Sequence, residues 1–109
     1  VAQGPEAKFR HTKVDPFLKK LPNTYSVSIQ QTSIRGTPDK LICCHGVFIG
    51  LELKGDKGVL SKLQVYNLDK IKAAGGIAMV SKPSTWDSDK EILMEVALTG
   101  VVPTLDSGG

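Results

Sequence analysis

The sequence is poor in cysteine and aromatic residues, with two cysteines, three phenylalanines, two tyrosines and one tryptophan among 109 residues. Cys43 and Cys44 are neighbours in a stretch of strand character, so they point to opposite faces and cannot easily bridge each other. That excludes a disulfide framework, and with no further Cys or His cluster a tetrahedral zinc site is excluded too. Both read as reduced core residues of a cytosolic protein. No apolar run approaches 18 residues and no segment reads as a secretory leader, so membrane insertion has no support. Internal repeats and low-complexity segments are absent. A large charge of one sign is missing as well: the net +3 permits a polyanionic partner without requiring one. The composition left is that of an ordinary globular protein, expected as one domain over residues 1–103 with a flexible tail at 104–109.

The chain is organised around residues 36–64. Lys40 to His45 and Val47 to Lys54 are runs rich in Ile, Val, Leu, Cys and Phe, joined across His45-Gly46, and they read as a β-hairpin. With a two-residue loop, Cys44 faces Val47, paired positions sum to 91, and Asp39 stands opposite Glu52. Carboxylates facing each other across a ladder have Cβ atoms about 4.5–5.5 Å apart and repel. A divalent cation between them reverses the sign of that effect, because hard cations take carboxylate oxygens. Lys54, two residues past Glu52, projects from the same face. One hairpin face carries Ile42, Cys44, Val47, Ile49, Leu51 and Leu53, and the other Leu41, Cys43 and Phe48, so the hairpin is expected to be central and covered on both sides.

Around it, Gly4-Pro5-Glu6 opens a basic first helix. Pro16 forbids an unbroken helix to Leu21, and a kink or a restart capped by Asp15 is expected. Glu6, Arg10 and Lys13 share one face at helical spacing. A Glu6–Arg10 surface ion pair is the plain interpretation, and a face turned to metal and phosphate the sharper one. Tyr25, Val27 and Ile29 alternate with polar residues as a half-buried strand. Ser61 caps a helix to about Ala74 that Gly75-Gly76 ends, and Ile77 to Val80 is a fourth strand, parallel to the one carrying Glu52. Ser88-Asp89-Lys90-Glu91 reads as the capping box of a last helix stopped by Gly100. The order is αβββαβ(α), an α/β fold with a mixed central sheet flanked by helices.

That order, with Glu6 in the first helix, Gly36-Thr37-Pro38-Asp39, Glu52-Leu53-Lys54, Gly58-Val59-Leu60-Ser61 leading to Gln64, and Ala74-Gly75-Gly76, resembles the PD-(D/E)xK nuclease superfamily. Within it the chain looks like the virus-type replication-repair nuclease (VRR-NUC) domain over residues 5–82. Pro16 departs from an uninterrupted first helix, and nothing after residue 82 matches a family motif. The resemblance implies a restriction-endonuclease-like fold and a Mg²⁺- or Mn²⁺-dependent endodeoxyribonuclease of phage or bacterial type. It also implies the cytoplasm as the compartment, branched DNA such as Holliday junctions as substrate, and a homodimer as the working form.

By the same resemblance Asp39 and Glu52 hold the metal with the Leu53 carbonyl, and Glu6 reaches it through water or a second ion. Lys54 positions or deprotonates the attacking water or stabilises charge on the phosphate, its plain alternative being a salt bridge to Glu52 or Asp39. Gln64 orients water or phosphate, unless it is simply an exposed helix residue. Arg35, Lys57 and Lys62 are the candidates for phosphate contacts. His45 reads as a turn residue rather than a catalyst. Two other functions fit the same residues: a nucleic-acid-binding module without catalysis, and a protein-binding module using the basic helix.

Overall fold

The computed structural model describes residues 4–30 and 35–103, so the expected tail at 104–109 and part of the loop before Asp39 lie outside the described residues. Four strands form one mixed sheet in the order β1 (Thr24–Ser28), β2 (Lys40–Cys44), β3 (Val47–Leu53), β4 (Ile77–Ser81). β1–β2 and β2–β3 pair antiparallel, and β3–β4 pair parallel. The expected mixed sheet is thus present, with α3 (Lys62–Ala73) as the crossover between β3 and β4. No helix is long and apolar enough to cross a membrane among the described residues.

The hairpin register comes from its turn. His45 (φ 49°) and Gly46 (φ 83°) are both left-handed, the backbone of the tight two-residue turns whose twist matches that of the flanking strands. The paired residues run from Cys44↔Val47 to Lys40↔Leu51, as the sum rule requires. His45 tolerates its positive φ because its Nδ1 lies 2.9 Å from the Ala97 carbonyl, which also accepts from Asn23 Nδ2 at 3.0 Å.

One face of the sheet is fully covered. Ile42, Cys44, Val47, Ile49, Leu51 and Leu53 pack with Phe9, Val14, Leu18 and Leu21 of the first helical stretch and with Leu93, Val96 and Ala97 of α4 (Trp86–Thr99). Trp86 sits edge-to-face with Phe9 and Phe17, at centroid distances of 5.8 and 5.3 Å. Its burial explains why α4 begins at Trp86, before the expected Ser88 box: the aromatic contact draws the preceding residues into the helix, and Ser88 and Glu91 end exposed on it.

The opposite face is covered only toward the Asp39 end, by α3, where Gly50 leaves room for Ile71. Cys43 and Phe48 near the turn are exposed, so the hairpin is not covered on both sides and Cys43 is not a core residue. β1 departs from its expected parity for the same reason. Its register with β2 sets Tyr25 beside Cys43 and Val27 beside Leu41 on the open face, leaving Tyr25 72% exposed.

The first helical stretch runs α1 (Pro5–Phe9), a wide π turn (Arg10–Val14) and α2 (Asp15–Lys20) without a restart. Asp15 is helical (φ −59°) rather than a cap, and its N–H bonds the Arg10 carbonyl five residues back. Pro16 accounts for this, since it offers no N–H and its ring crowds the carbonyl four residues earlier. A wider turn relieves that crowding and keeps the helix going.

Candidate metal centre

At the end of the hairpin, β3 carries Glu52 into a buried position, 3% exposed, while Asp39 stands half-buried at the residue preceding β2. The Leu53 N–H donates to Asp39 Oδ2 at 2.8 Å, and the Glu52 and Asp39 carboxyls lie close enough to share a proton in a hydrogen bond. Burial first, then the Asp39 charge and that hydrogen bond, push the Glu52 carboxyl up to about 8 from 4.5. Lys54 opposes the shift and Glu6 adds to it. Two acids therefore meet with too little positive charge between them. Glu6 reaches this group despite the interrupted helix, because the π turn lies beyond it and α1 abuts Gly55, whose added Cβ would meet Pro5 at 3.4 Å.

Lys54 is 15% exposed, with Nζ 3.9 Å from Glu52 Oε2, so the plain ion-pair interpretation holds at long range. The turn at residues 55–58 holds it in place: Gly58 donates to the Gly55 carbonyl at 2.9 Å, and a Cβ on Gly58 would lie 3.2 Å from the Lys54 side chain. Ser84 pins that turn from the β4–α4 connection, its N–H donating to Asp56 Oδ1 at 2.9 Å. A Ser84 side-chain hydrogen bond first, then this N–H and the nearby Lys82 charge, keep the Asp56 carboxyl below the usual carboxylate range.

Gln64 is not a free surface residue. Its Oε1 accepts the Ser61 N–H at 2.8 Å, Ser61 Oγ accepts the Gln64 N–H at 3.1 Å, and its Nε2 donates to Glu52 Oε2 at 2.9 Å. The capping box that starts α3 therefore also orients a site carboxyl. Gly36 (φ +82°) lets the loop before Asp39 lie directly on α3, since a Cβ there would fall 2.6 Å from the Leu63 backbone. Arg35 is exposed on that loop, with its carbonyl accepting from Asn67 Nδ2 at 3.1 Å. Lys57 and Lys62 are exposed as well, on the 55–58 turn and the first residue of α3.

Asp39, Glu52, Lys54 and Gln64 are thus gathered, with Glu6 in electrostatic reach, while Arg35, Lys57 and Lys62 lie on the rim. Among the described residues no group of three or more His, Cys, Asp or Glu is arranged to hold a metal ion. The donor set on offer is two carboxylates and the Leu53 backbone, which suits an ion that keeps several waters. Sequence reasoning missed a second polar group on the other face of the sheet. There Lys40, 4% exposed, pairs with Asp15 and donates to Ser28 Oγ at 2.6 Å, beside His11 and Arg10. No family model, curated protein or solved structure compared with the chain matches it.

Proposed function

We propose that this chain is a metal-dependent DNA endonuclease with a restriction-endonuclease-like fold, a VRR-NUC domain of the PD-(D/E)xK superfamily, acting on branched DNA such as Holliday junctions. The observation that carries the reading is the buried Glu52 carboxyl set beside Asp39, with Lys54 and Gln64 converging on it. A like-charged pair in a buried setting is costly to the fold, and a divalent cation offsets that cost. Asp39, Glu52 and the Leu53 carbonyl would hold Mg²⁺ or Mn²⁺, with Glu6 linked through water. When bound, the ion lowers the pKa of water and neutralises charge on the scissile phosphate. Gln64 keeps the Glu52 oxygens aimed, and Lys54 supplies a positive charge or a proton-transfer group beside the phosphate. Arg35, Lys57 and Lys62 add salt-dependent phosphate contacts.

Branched DNA presents two strands, so a second copy of the chain would supply the second site. Of the apolar residues of α4, Leu93 and Val96 are buried in their own core, which leaves Met94 and Leu98 exposed for contact with a second copy. The deciding experiment is a panel of duplex, flap and four-way junction DNA with EDTA, Mg²⁺ or Mn²⁺. Metal-dependent cleavage with preference for the branched forms supports the reading. Binding without cleavage in either metal assigns a catalytically inactive binding module instead.

A further inference from the structure

A cavity of about 410 Å³ opens between the π turn and Asp39, its polar lining being Arg10, His11, Asp15, Ser28, Gln30 and Asp39 itself. We propose that this cavity holds a backbone phosphate of the substrate strand next to the scissile one, with Arg10 as its principal ligand. The proposal rests on the nuclease reading and extends it to how the strand is seated.

Four observations carry it. The π turn is what assembles the wall. Residues five apart on an α-helix lie about 140° apart around the axis, at 3.6 residues per turn. Here the Asp15 N–H bonds the Arg10 carbonyl, so Arg10 and Asp15 stack on one side and both line the cavity with His11. Second, among the described residues the Arg10 guanidinium makes no ion pair, and the Glu6–Arg10 pair suggested by spacing does not form. A half-buried arginine whose five donors meet no acceptor among the described residues is suited to bidentate capture of a phosphate.

Third, the acid on that wall is already neutralised. The buried Lys40 ammonium pairs with Asp15 and donates to Ser28 Oγ, and His11 Nδ1 lies 3.7 Å from Asp15 Oδ2. An anion entering there meets Arg10 and a compensated Asp15, and the remaining carboxylate of the lining, Asp39, lies on the side of the metal centre. Fourth, Asp39 belongs to both the cavity and the metal centre, so a group held in the cavity lies beside the reacting phosphate. The volume falls within the range of small-molecule sites and accommodates a nucleotide-sized group.

The test measures binding of labelled duplex and junction DNA in EDTA across a salt series, using the full chain. Arg10→Gln should weaken binding roughly tenfold at low salt and make the slope of log K against log salt shallower by about one. Arg10→Lys keeps the charge and should keep the parent's salt slope, while recovering only part of the affinity because the bidentate fork is gone. Lys13→Gln, the same charge change at an exposed position that does not line the cavity, should cost less. All three should keep the parent's Mn²⁺-dependent rise in melting temperature, which shows an intact fold and metal centre. Unchanged affinity and slope in Arg10→Gln, or an equal loss in Lys13→Gln, overturns the proposal while leaving the nuclease reading standing. A parent protein that binds no DNA removes both. Inorganic phosphate that binds the parent alone, loses binding in Arg10→Gln and leaves DNA affinity the same in both would reassign the cavity to a free phosphate.

Discussion

Gln64 Nε2 donates to Glu52 Oε2 at 2.9 Å while Gln64 Oε1 closes the capping box of α3 on the Ser61 N–H, so one side chain ties a helix start to a site carboxyl. The two duties separate by substitution. Gln64→Glu keeps an acceptor for the Ser61 N–H but sets a third carboxylate against Glu52 and Asp39. Without metal at pH 8 it should melt below the parent by several degrees, about 1 kcal/mol corresponding to roughly 4–8 °C in a domain of this size. Mn²⁺ should recover more stability in this variant than in the parent. Thermal melts with EDTA and with Mn²⁺ measure both. Equal melting of variant and parent without metal would remove Gln64 from the site.

The Glu52 carboxyl makes the metal-free fold sensitive to pH. Its value in the fold is raised to about 8 from 4.5, so between those values the folded state holds a proton that the unfolded chain has released. The contribution is fully present below about pH 4.5 and is lost as pH rises through about 8. In EDTA the parent should therefore lose stability from pH 5 to 8.5 relative to Glu52→Gln, which should be flatter across that window. Denaturant midpoints at half-unit steps give the comparison. The same variant should abolish cleavage and leave DNA binding in EDTA nearly unchanged.

How far the sequence could be read follows from these residues. The hairpin register, the Asp39–Glu52 meeting and the Ser61 cap were legible, because a two-residue loop and an S-x-x-Q box are local rules with one outcome. The π turn was not, since α-helical spacing assumes a period that Pro16 changes. Consequently α-helical spacing points Arg10 toward Glu6, whereas it lines a cavity with Asp15. The exposure of Tyr25, Val27 and Cys43 depends on where α3 stops covering the sheet, which no strand pattern encodes. The start of α4 was set by the distant rings of Phe9 and Phe17 around Trp86, not by its own first turn.

Metal binding should stabilise the fold through the facing carboxylates. A ligand bound only by the folded state adds RT ln(1 + [L]/Kd), about 2.7 kcal/mol at a hundred times Kd. Mn²⁺ should raise the parent's Tm by several degrees, and more at pH 8 than at pH 6, because the ion must displace the Glu52 proton. Asp39→Asn should lose most of that rise. Its metal-free Tm at pH 8 should stay level or increase, as Asn retains an acceptor for the Leu53 N–H while a like charge is gone. Equal Mn²⁺ shifts in both proteins would place the ion elsewhere.

Two glycines with the same backbone but different surroundings separate strain from contact. Gly36 and Gly46 have φ of +82° and +83°, so alanine at either pays the left-handed penalty, about 1 kcal/mol. At Gly46 an added Cβ meets nothing within 4 Å, and the cost should end there. At Gly36 the Cβ would fall 2.6 Å from the Leu63 carbonyl carbon and oxygen, and backbone cannot swing aside as a side-chain tip can. The loop must lift off α3, one residue before Gln64 and three residues before Asp39. Gly36→Ala should therefore lower Tm by clearly more than Gly46→Ala, and it should weaken Mn²⁺ binding and cleavage, since Asp39 and Gln64 no longer meet Glu52 in register. Gly46→Ala should leave metal binding and cleavage at the parent level, its turn lying at the far end of the hairpin. Paired melts and Mn²⁺ titrations of the two variants decide the matter. If both lose stability equally and Gly36→Ala binds Mn²⁺ as the parent does, the packing of the Gly36 loop on α3 does not hold the site together.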